Sequence, residues 1–291
     1  MWDSLISAEQ RRAFESAGYL EVPDALSPEQ VEAFGDLHER VYAEERAGGR
    51  LASSSAGSNR AGAMHSFGFV VRDARYLELL DLPSVFPLVC GLLGWNIHMY
   101  HCHIDQHPPV TGHVEPVWGW HQDGGRQNVE TETEPTRPRL SIKVAYFLSD
   151  VSEPGRGNTL VLPGSHRLNR IPRPEPGEER FENPEGTVSL CARPGTAVLF
   201  DRRLWHSRSD NTSSISRRAL FLAYTYRWIR PRDTLRIDWA REPYRSLSPV
   251  RRQLLGDGDD APSFWGIGRE PPLKELLRRR GLLDPAVPAL G

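Results

Sequence analysis

The amino-acid sequence predicts a mainly β protein of the α+β class, with helices packed outside an antiparallel sandwich or barrel. Helical periodicity is clearest before residue 94, and about eight short strand-like segments with turn signals make up most of the rest. The 24 prolines and 25 glycines among 291 residues fit a chain with many turns. No repeat of about 20–50 residues is visible, so a solenoid is not expected.

The first helix signal covers residues 7–17. Phe14 faces inward in this pattern, and Gly18 can end the helix because glycine adopts the left-handed conformation easily. Residues 19–23 are then predicted to form a strand. Further short helices are predicted at 73–80, 84–93 and 273–280.

A longer helix is predicted to begin after Ser27. The Ser27 side chain can cap it, Pro28 suits its first turn, and Gln30 completes a capping box. Apolar residues follow at helical spacing, namely Val31, Phe34, Leu37 and Val41. The helix should end near Ala47.

Several segments in the second part of the chain are predicted to be strands. They are 96–106, 140–148, 158–162, 187–191, 196–200 and 217–226. Alternation places His101, His103 and Asp105 on one face of the first of these strands. The other face is predicted to carry Tyr100, Cys102 and Ile104.

Lys143 interrupts an otherwise apolar or small row in the strand 140–148. A lysine inside a barrel needs an anionic partner, so Lys143 is a candidate contact for substrate or co-substrate. The alternative is a lysine near the strand end whose ammonium reaches solvent.

Three polar segments, 48–62, 124–139 and 170–186, are predicted loops, and the first is either a surface loop or a substrate lid.

Composition excludes several classes of protein. A formal net charge of −2 argues against a general nucleic-acid binder. No apolar run approaches the roughly 18 residues of a membrane span, and no signal peptide is visible. The three cysteines are scattered without a Cys-x-x-Cys pair, so a reduced, cytoplasmic protein is the simplest account.

One pair of segments suggests a metal site. Extended backbone at His121-Gln122-Asp123 would place His121 and Asp123 on the same side, and His206 ends a predicted strand segment 83 residues after Asp123. Two imidazoles and one carboxylate are the ligand set of a non-haem iron(II) site. A second His-x-Asp at His103-Ile104-Asp105 shows that the pattern alone is weak, since a lone pair of this kind is more simply a surface or capping pair. The context favours His121 and Asp123, because Gly124-Gly125 follows them, His206 ends a strand, and Arg217-Arg218 opens the next one.

The chain resembles the phytanoyl-CoA dioxygenase family of iron(II)- and 2-oxoglutarate-dependent oxygenases, roughly from Phe14 to Trp228. Several motifs in a fixed order carry the resemblance. They are Gly18-Tyr19-Leu20, Leu26-Ser27-Pro28-Glu29-Gln30-Val31, Leu92-Leu93-Gly94, Trp120-His121-Gln122-Asp123, the run from Gly157 to Arg167, Pro194-Gly195, and His206 followed by Asn211 and Arg217-Arg218-Ala219.

The resemblance implies a double-stranded β-helix, a cupin-like jelly roll, with flanking N-terminal helices. It implies one domain with a helical part at about 1–95, a jelly-roll core at about 96–230 and a C-terminal extension at 231–291. It makes His121, Asp123 and His206 the iron ligands in preference to the pair at His103 and Asp105. His166 is expected in a structural turn, not at the metal.

The resemblance also implies a set of cofactors, namely iron(II), 2-oxoglutarate and O2. Arg217 aligns best with the arginine that binds the distal carboxylate of 2-oxoglutarate, and Arg218, on the opposite strand face, is the alternative. His103 is a weaker candidate for co-substrate contact, alongside Lys143. The three polar loops match nothing specific in the family, so they leave the substrate undefined.

The reaction expected from this resemblance is hydroxylation of an aliphatic carbon of a small molecule, for instance in secondary-metabolite tailoring. Desaturation, epimerisation and cyclisation are alternatives at the same site. Halogenation is disfavoured because related halogenases lack the carboxylate ligand, which is present here as Asp123. The rivals from other classes are a non-catalytic jelly-roll binding protein and a metal-dependent hydrolase.

Overall fold

The structure is a computed structural model. It describes residues 4–53, 60–110, 117–124, 138–175, 182–257 and 270–283. Most of the predicted loop 124–139 and parts of the loops 48–62 and 170–186 lie outside these residues.

The N-terminal helices follow their capping signals. Helix α1 spans Ala8–Ala17, α2 spans Pro28–Ala47 and α3 spans Phe86–Leu93. The capping box at Ser27 is present, with the Ser27 side chain accepting from the Gln30 backbone and the Gln30 side chain accepting from Ser27 N–H. The predicted bounds of these helices are therefore confirmed to within two residues.

The predicted helix at 73–80 is instead a 3₁₀ helix, Ala74–Asp81. Two short helices, Pro249–Leu254 and Pro272–Arg279, lie in the C-terminal part. No single helix among the described residues is long and apolar enough to cross a membrane; only Ala74–Asp81 and Phe86–Leu93, bent by 48°, reach that length and composition together.

Nine strands form two antiparallel sheets in the described part of the chain. The strands are β1 Tyr19–Val22, β2 Met64–Phe67, β3 Ile97–His107, β4 Ser141–Phe147, β5 Thr159–Val161, β6 Val188–Ser189, β7 Ala197–Asp201, β8 His206–Arg208 and β9 Arg217–Tyr226. The main sheet has the order β1-β7-β4-β9-β3-β2, and the minor sheet has the order β6-β5-β8. These two sheets are the walls of the predicted jelly roll.

The main sheet buries both faces, but against different partners. One face of β4, with Ile142, Val144 and Tyr146, joins the large apolar core that includes the helices. The other face, with Ala145 and Phe147, packs in a second cluster with residues of the minor sheet such as Val161 in β5. The outer face is thus held by the helices, and the inner face lines the space between the two sheets.

A β-bulge at Tyr100 corrects one prediction for β3. Met99 pairs with Tyr224 and His101 with Ala223, so Tyr100 is an extra residue in the ladder. Tyr100 was expected on the face of Cys102 and Ile104, but its hydroxyl lies 3.3 Å from Ser141 Oγ on the inner side of β4. Simple alternation fails here because a bulge shifts the side-chain parity by one residue.

Gly18 allows a close approach at the end of α1. Its φ is 85°, and its N–H donates to Phe14 O at 2.7 Å. A Cβ at Gly18 would lie 2.6 Å from His166 Nδ1 and 2.9 Å from Leu204 Cδ1. His166 is therefore part of a packed turn, the 3₁₀ helix Ser165–Arg167, as the sequence predicted.

We expect Gly18→Ala to lower the free energy of unfolding by about 2–4 kcal/mol, from left-handed strain plus overpacking. Gly49→Ala is the matched control, because Gly49 also has a positive φ of 66° but nothing lies within 4 Å of its added Cβ. That control should cost about 1–2 kcal/mol from strain alone. Urea unfolding measures both variants, and equal losses would show that the contact with His166 is not tight.

Candidate metal centre

Backbone pairing brings His121 and His206 together. His121 N–H donates to His206 O at 3.0 Å, and His206 N–H donates to His121 O at 3.0 Å. Residues that exchange both bonds lie directly opposite, with side chains on the same face. Asp123, two residues after His121, is held by a bond from its N–H to Arg202 O at 2.9 Å. One nitrogen of each imidazole and one carboxylate oxygen of Asp123 lie within 4.8 Å of one another.

The two imidazoles are oriented in the same way. Nδ1 of His121 lies 2.8 Å from Gly119 O, and Nδ1 of His206 lies 2.8 Å from Leu204 O. A carbonyl oxygen only accepts, so each Nδ1 carries a proton and Nε2 is the nitrogen left for a metal. Metal-binding histidines are commonly oriented in this way, by a backbone carbonyl that accepts from the ring nitrogen not bound to the metal.

The electrostatics of the group favour a bound divalent cation. Burial lowers the pKa of His206 to about 3, so its ring is neutral, as a ligand must be. Burial raises the pKa of the Asp123 carboxyl, but Lys143, His206 and His121 outweigh it and hold that pKa well below the ordinary value. The donor set of two imidazoles and a carboxylate therefore fits iron(II).

Lys143 points into the barrel and ends at this group. Its Nζ lies 2.6 Å from Asp123 Oδ2, and both side chains are about one-tenth exposed. Nζ also lies 5.8 Å from the ring of Phe200 and 5.9 Å from that of Phe221. The predicted need for an anion is therefore met by Asp123 in this structure, and the alternative of a solvated lysine is wrong.

Arg217 and Arg218 lie on opposite faces of β9. The Arg217 guanidinium is buried on the inner face, between the rings of Phe147 at 5.5 Å and Phe221 at 5.4 Å. Its Nη2 donates to Thr159 Oγ1 at 3.3 Å. Burial lowers its pKa to about 10, which leaves it protonated at neutral pH. A buried guanidinium is a suitable anchor for a carboxylate.

Arg218 faces the helices instead. Its Nη1 donates to Glu39 Oε1 of α2 at 3.0 Å, and both side chains are partly exposed. Only Arg217 of this pair therefore has its guanidinium in the space between the two sheets.

The second His-x-Asp pair also forms part of a cluster. His65 of β2 joins His103 and Asp105, and one ligand-type atom of each lies within 4.8 Å of the others. His65 Nδ1 lies 2.5 Å from Asp105 Oδ1, and Arg217 Nη1 lies 3.7 Å from Asp105 Oδ2. A guanidinium fixed between two rings so close to the carboxylate disfavours a divalent cation there.

The sequence analysis did not identify four residues that lie around these groups, namely His65, His107, Thr159 and Phe221. Strand register explains the positions of three of them, since His65 pairs with Asp105, His107 with Arg217, and Phe221 with His103. Phe221 also stacks on His103 with a centroid distance of 4.4 Å. Alternation along β2 and β9 indicates which side chains share a face, but it does not predict which strands lie next to each other.

Comparisons with known proteins agree with this geometry. A family model described as phytanoyl-CoA dioxygenase matches residues 14–219. An L-proline trans-4-hydroxylase from Streptomyces griseoviridis is 26% identical over 231 residues, covering 71% of this chain and 82% of the relative. An ectoine dioxygenase from Sphingopyxis alaskensis is 26% identical over 250 residues, covering 76% of each.

Solved structures share the fold. The non-heme alpha ketoglutarate dependent carbocyclase SnoK from nogalamycin biosynthesis aligns with a TM-score of 0.58 and 22% identity, covering 80% of this chain and 94% of that one. Since the family model spans most of the described fold, from α1 into β9, the chain belongs to the phytanoyl-CoA dioxygenase family and is an iron(II)- and 2-oxoglutarate-dependent dioxygenase.

Proposed function

We propose that His121, Asp123 and His206 hold iron(II), that Arg217 anchors 2-oxoglutarate, and that the enzyme hydroxylates an aliphatic carbon of a small molecule. The observation that carries this proposal is the convergence of two imidazoles and one carboxylate, together with a buried arginine on the inner face of the main sheet. The relatives named for proline and ectoine oxidation support a small-molecule substrate.

The bound group supplies the oxidising chemistry: iron(II) with 2-oxoglutarate and O2 oxidises the substrate while the co-substrate is converted to succinate and carbon dioxide. The protein positions the reactants. Carbonyl groups of Gly119 and Leu204 fix the two imidazole rings. The aromatic rings of Phe147 and Phe221 flank the Arg217 guanidinium, which is therefore pre-organised to fork onto a carboxylate.

Lys143 changes partners in this proposal. A divalent cation bound by Asp123 repels an ammonium that lies 2.6 Å from the same carboxylate. The lysine stem is flexible and can move its charge, unlike the guanidinium of Arg217. A displaced Lys143 remains on the inner face and is available to a carboxylate of the co-substrate.

Cyclisation is the second candidate reaction, because the carbocyclase SnoK shares the fold. It uses the same metal and the same co-substrate, so the roles of the residues above do not change. A hydrolase or a binding protein would have no use for a buried arginine pre-organised for a carboxylate, which makes these rivals less suitable.

Asp123→Ala should abolish iron(II) binding, because it removes the only anionic ligand of the proposed triad. Asp105→Ala should retain one iron(II) per chain, since Asp105 faces Arg217. Anaerobic isothermal titration with iron(II) measures both stoichiometries. The reverse result, with binding lost only in Asp105→Ala, would place the metal in the other cluster.

Arg217→Ala should weaken 2-oxoglutarate binding roughly 10- to 150-fold, since a hydrogen-bonded charge pair contributes about 1.5–3 kcal/mol. Arg218→Ala is the matched control on the other face of β9. It should leave the affinity unchanged and alter stability by no more than about 1 kcal/mol, because its pair with Glu39 is partly exposed. An equal loss in the two variants would argue against the proposed anchor.

Lys143→Met should bind a redox-stable divalent ion such as cobalt(II) roughly tenfold more tightly, because a competing ammonium is removed. The metal-free variant should also melt at a lower temperature, since Asp123 loses its partner. Lys274→Met, a change at the only other lysine, is the control. Weaker cobalt(II) binding in Lys143→Met would show that Lys143 supports the metal site directly.

A further inference from the structure

A row of four ring side chains and one carboxylate lies on the last two strands at one edge of the main sheet. We call it the β2–β3 strip and define it as His65, Phe67, His101, His103 and Asp105. These residues lie on the inner face, because His103 pairs with Phe221 and Asp105 with Ala219, both of the inner cluster. His103 and Asp105 are buried, whereas Phe67 is 51% exposed and the His65 side chain is 37% exposed. The strip therefore leads from solvent to a buried carboxylate.

Hydrogen bonds fix which nitrogen of His103 carries the proton. His101 Nδ1 lies 2.7 Å from the carboxylate of Asp233, so it donates, and in the neutral form of His101 the Nε2 is then an acceptor. His103 Nδ1 lies 3.1 Å from that Nε2 and must donate to it. Burial also keeps the pKa of His103 well below its ordinary value, so the ring is neutral. His103 Nε2 is consequently an acceptor.

This acceptor faces another acceptor. His103 Nε2 lies 3.9 Å from Asp105 Oδ2, too far for a direct hydrogen bond. Burial raises the pKa of the Asp105 carboxyl, but the imidazoles of His103, His107 and His65 hold it well below the ordinary value, so the group is a carboxylate. A donor or a cation that lies between these two acceptors can satisfy both at once.

Neighbouring groups do not fill this role once the co-substrate binds. The nearest guanidinium is Arg217, with Nη1 3.7 Å from Asp105 Oδ2, and it is the proposed anchor of 2-oxoglutarate. When a carboxylate of 2-oxoglutarate binds to Arg217, the buried Asp105 must share that guanidinium with a second anion. Arg208 Nη1 is directed to His107 Nε2 at 2.6 Å. His65 Nδ1 contacts the other oxygen, Oδ1.

We propose that the substrate of this enzyme carries a cationic nitrogen, an ammonium or protonated amine, which binds between Asp105 and His103 while its carbon skeleton lies on Phe67. The proposal rests on the function proposed above, since it assigns the substrate class of the same site. An ammonium donates to both acceptors at once and restores a cation to Asp105. The exposed rings of Phe67 and His65 offer the apolar surface that a ring or chain next to the nitrogen needs.

Three probes with one skeleton test the charge preference: cyclohexylmethylamine, cyclohexylmethanol and cyclohexanecarboxylate. Each is titrated calorimetrically into the anaerobic iron(II)–2-oxoglutarate complex. We expect the amine to bind at least tenfold more tightly than the alcohol. The preference should fall below twofold in Asp105→Asn, whose amide keeps the shape and removes the charge.

Two further variants separate charge from contact. Glu39→Gln removes the same charge from the outer face of the sheet and should keep the full preference, since Glu39 pairs with Arg218. Phe67→Ala should weaken the binding of all three probes by a similar factor, because it removes the exposed ring and no charge.

Equal binding of the alcohol, tighter binding of the carboxylate, no binding of any probe, or a preference that survives in Asp105→Asn would overturn the proposal. Binding of 2-oxoglutarate is measured in every variant. A protein that binds 2-oxoglutarate but shows no amine preference refutes only the substrate class. A protein that fails to bind 2-oxoglutarate refutes the proposed function itself.

Discussion

Two backbone hydrogen bonds, exchanged between His121 and His206, are the constraint on which the site depends. They join a short segment that belongs to no named strand to β8, and β8 in turn pairs with β5. Because opposed residues in such a pair place their side chains on the same face, the pairing alone brings together two imidazoles that are 85 positions apart. Asp123 then follows from the two-residue period of extended backbone.

The two faces of the main sheet differ in their chemistry. Its outer face is mostly apolar and holds the helices, while its inner face carries Lys143, Arg217, His103 and Asp105. These charges are tolerated because each has a partner: Lys143 contacts Asp123, and Asp105 contacts His65 and Arg217. The bulge at Tyr100 keeps this division intact, since it lets Met99 face the outer core and His101 face the inner side.

Local signals in the sequence predicted local structure well. The capping box at Ser27 gave the start of α2, and alternation gave the two faces of β4. Recognition of the family, carried by ordered motifs, gave the jelly roll. The resemblance favoured His121, Asp123 and His206 over the pair at His103 and Asp105, and the fold does bring the three residues together.

What the sequence could not supply depends on strand order and on irregularity. His65 reaches Asp105 only because β2 is the edge strand beside β3, a pairing with no local signature. Tyr100 changed faces because a bulge needs only one extra residue and no special residue type. The sequence did not predict the partner of Lys143 either, because Asp123 approaches it from a segment outside the main sheet.

The most direct test of this account is an anaerobic titration of the protein with iron(II) and then with 2-oxoglutarate, followed by visible absorption. Chelation of the co-substrate at an iron held by three protein ligands should produce a weak metal-to-ligand charge-transfer band, with one equivalent of each component at saturation. Iron binding without this band would contradict the account, because the metal would then lack open positions for 2-oxoglutarate or Arg217 would not anchor it.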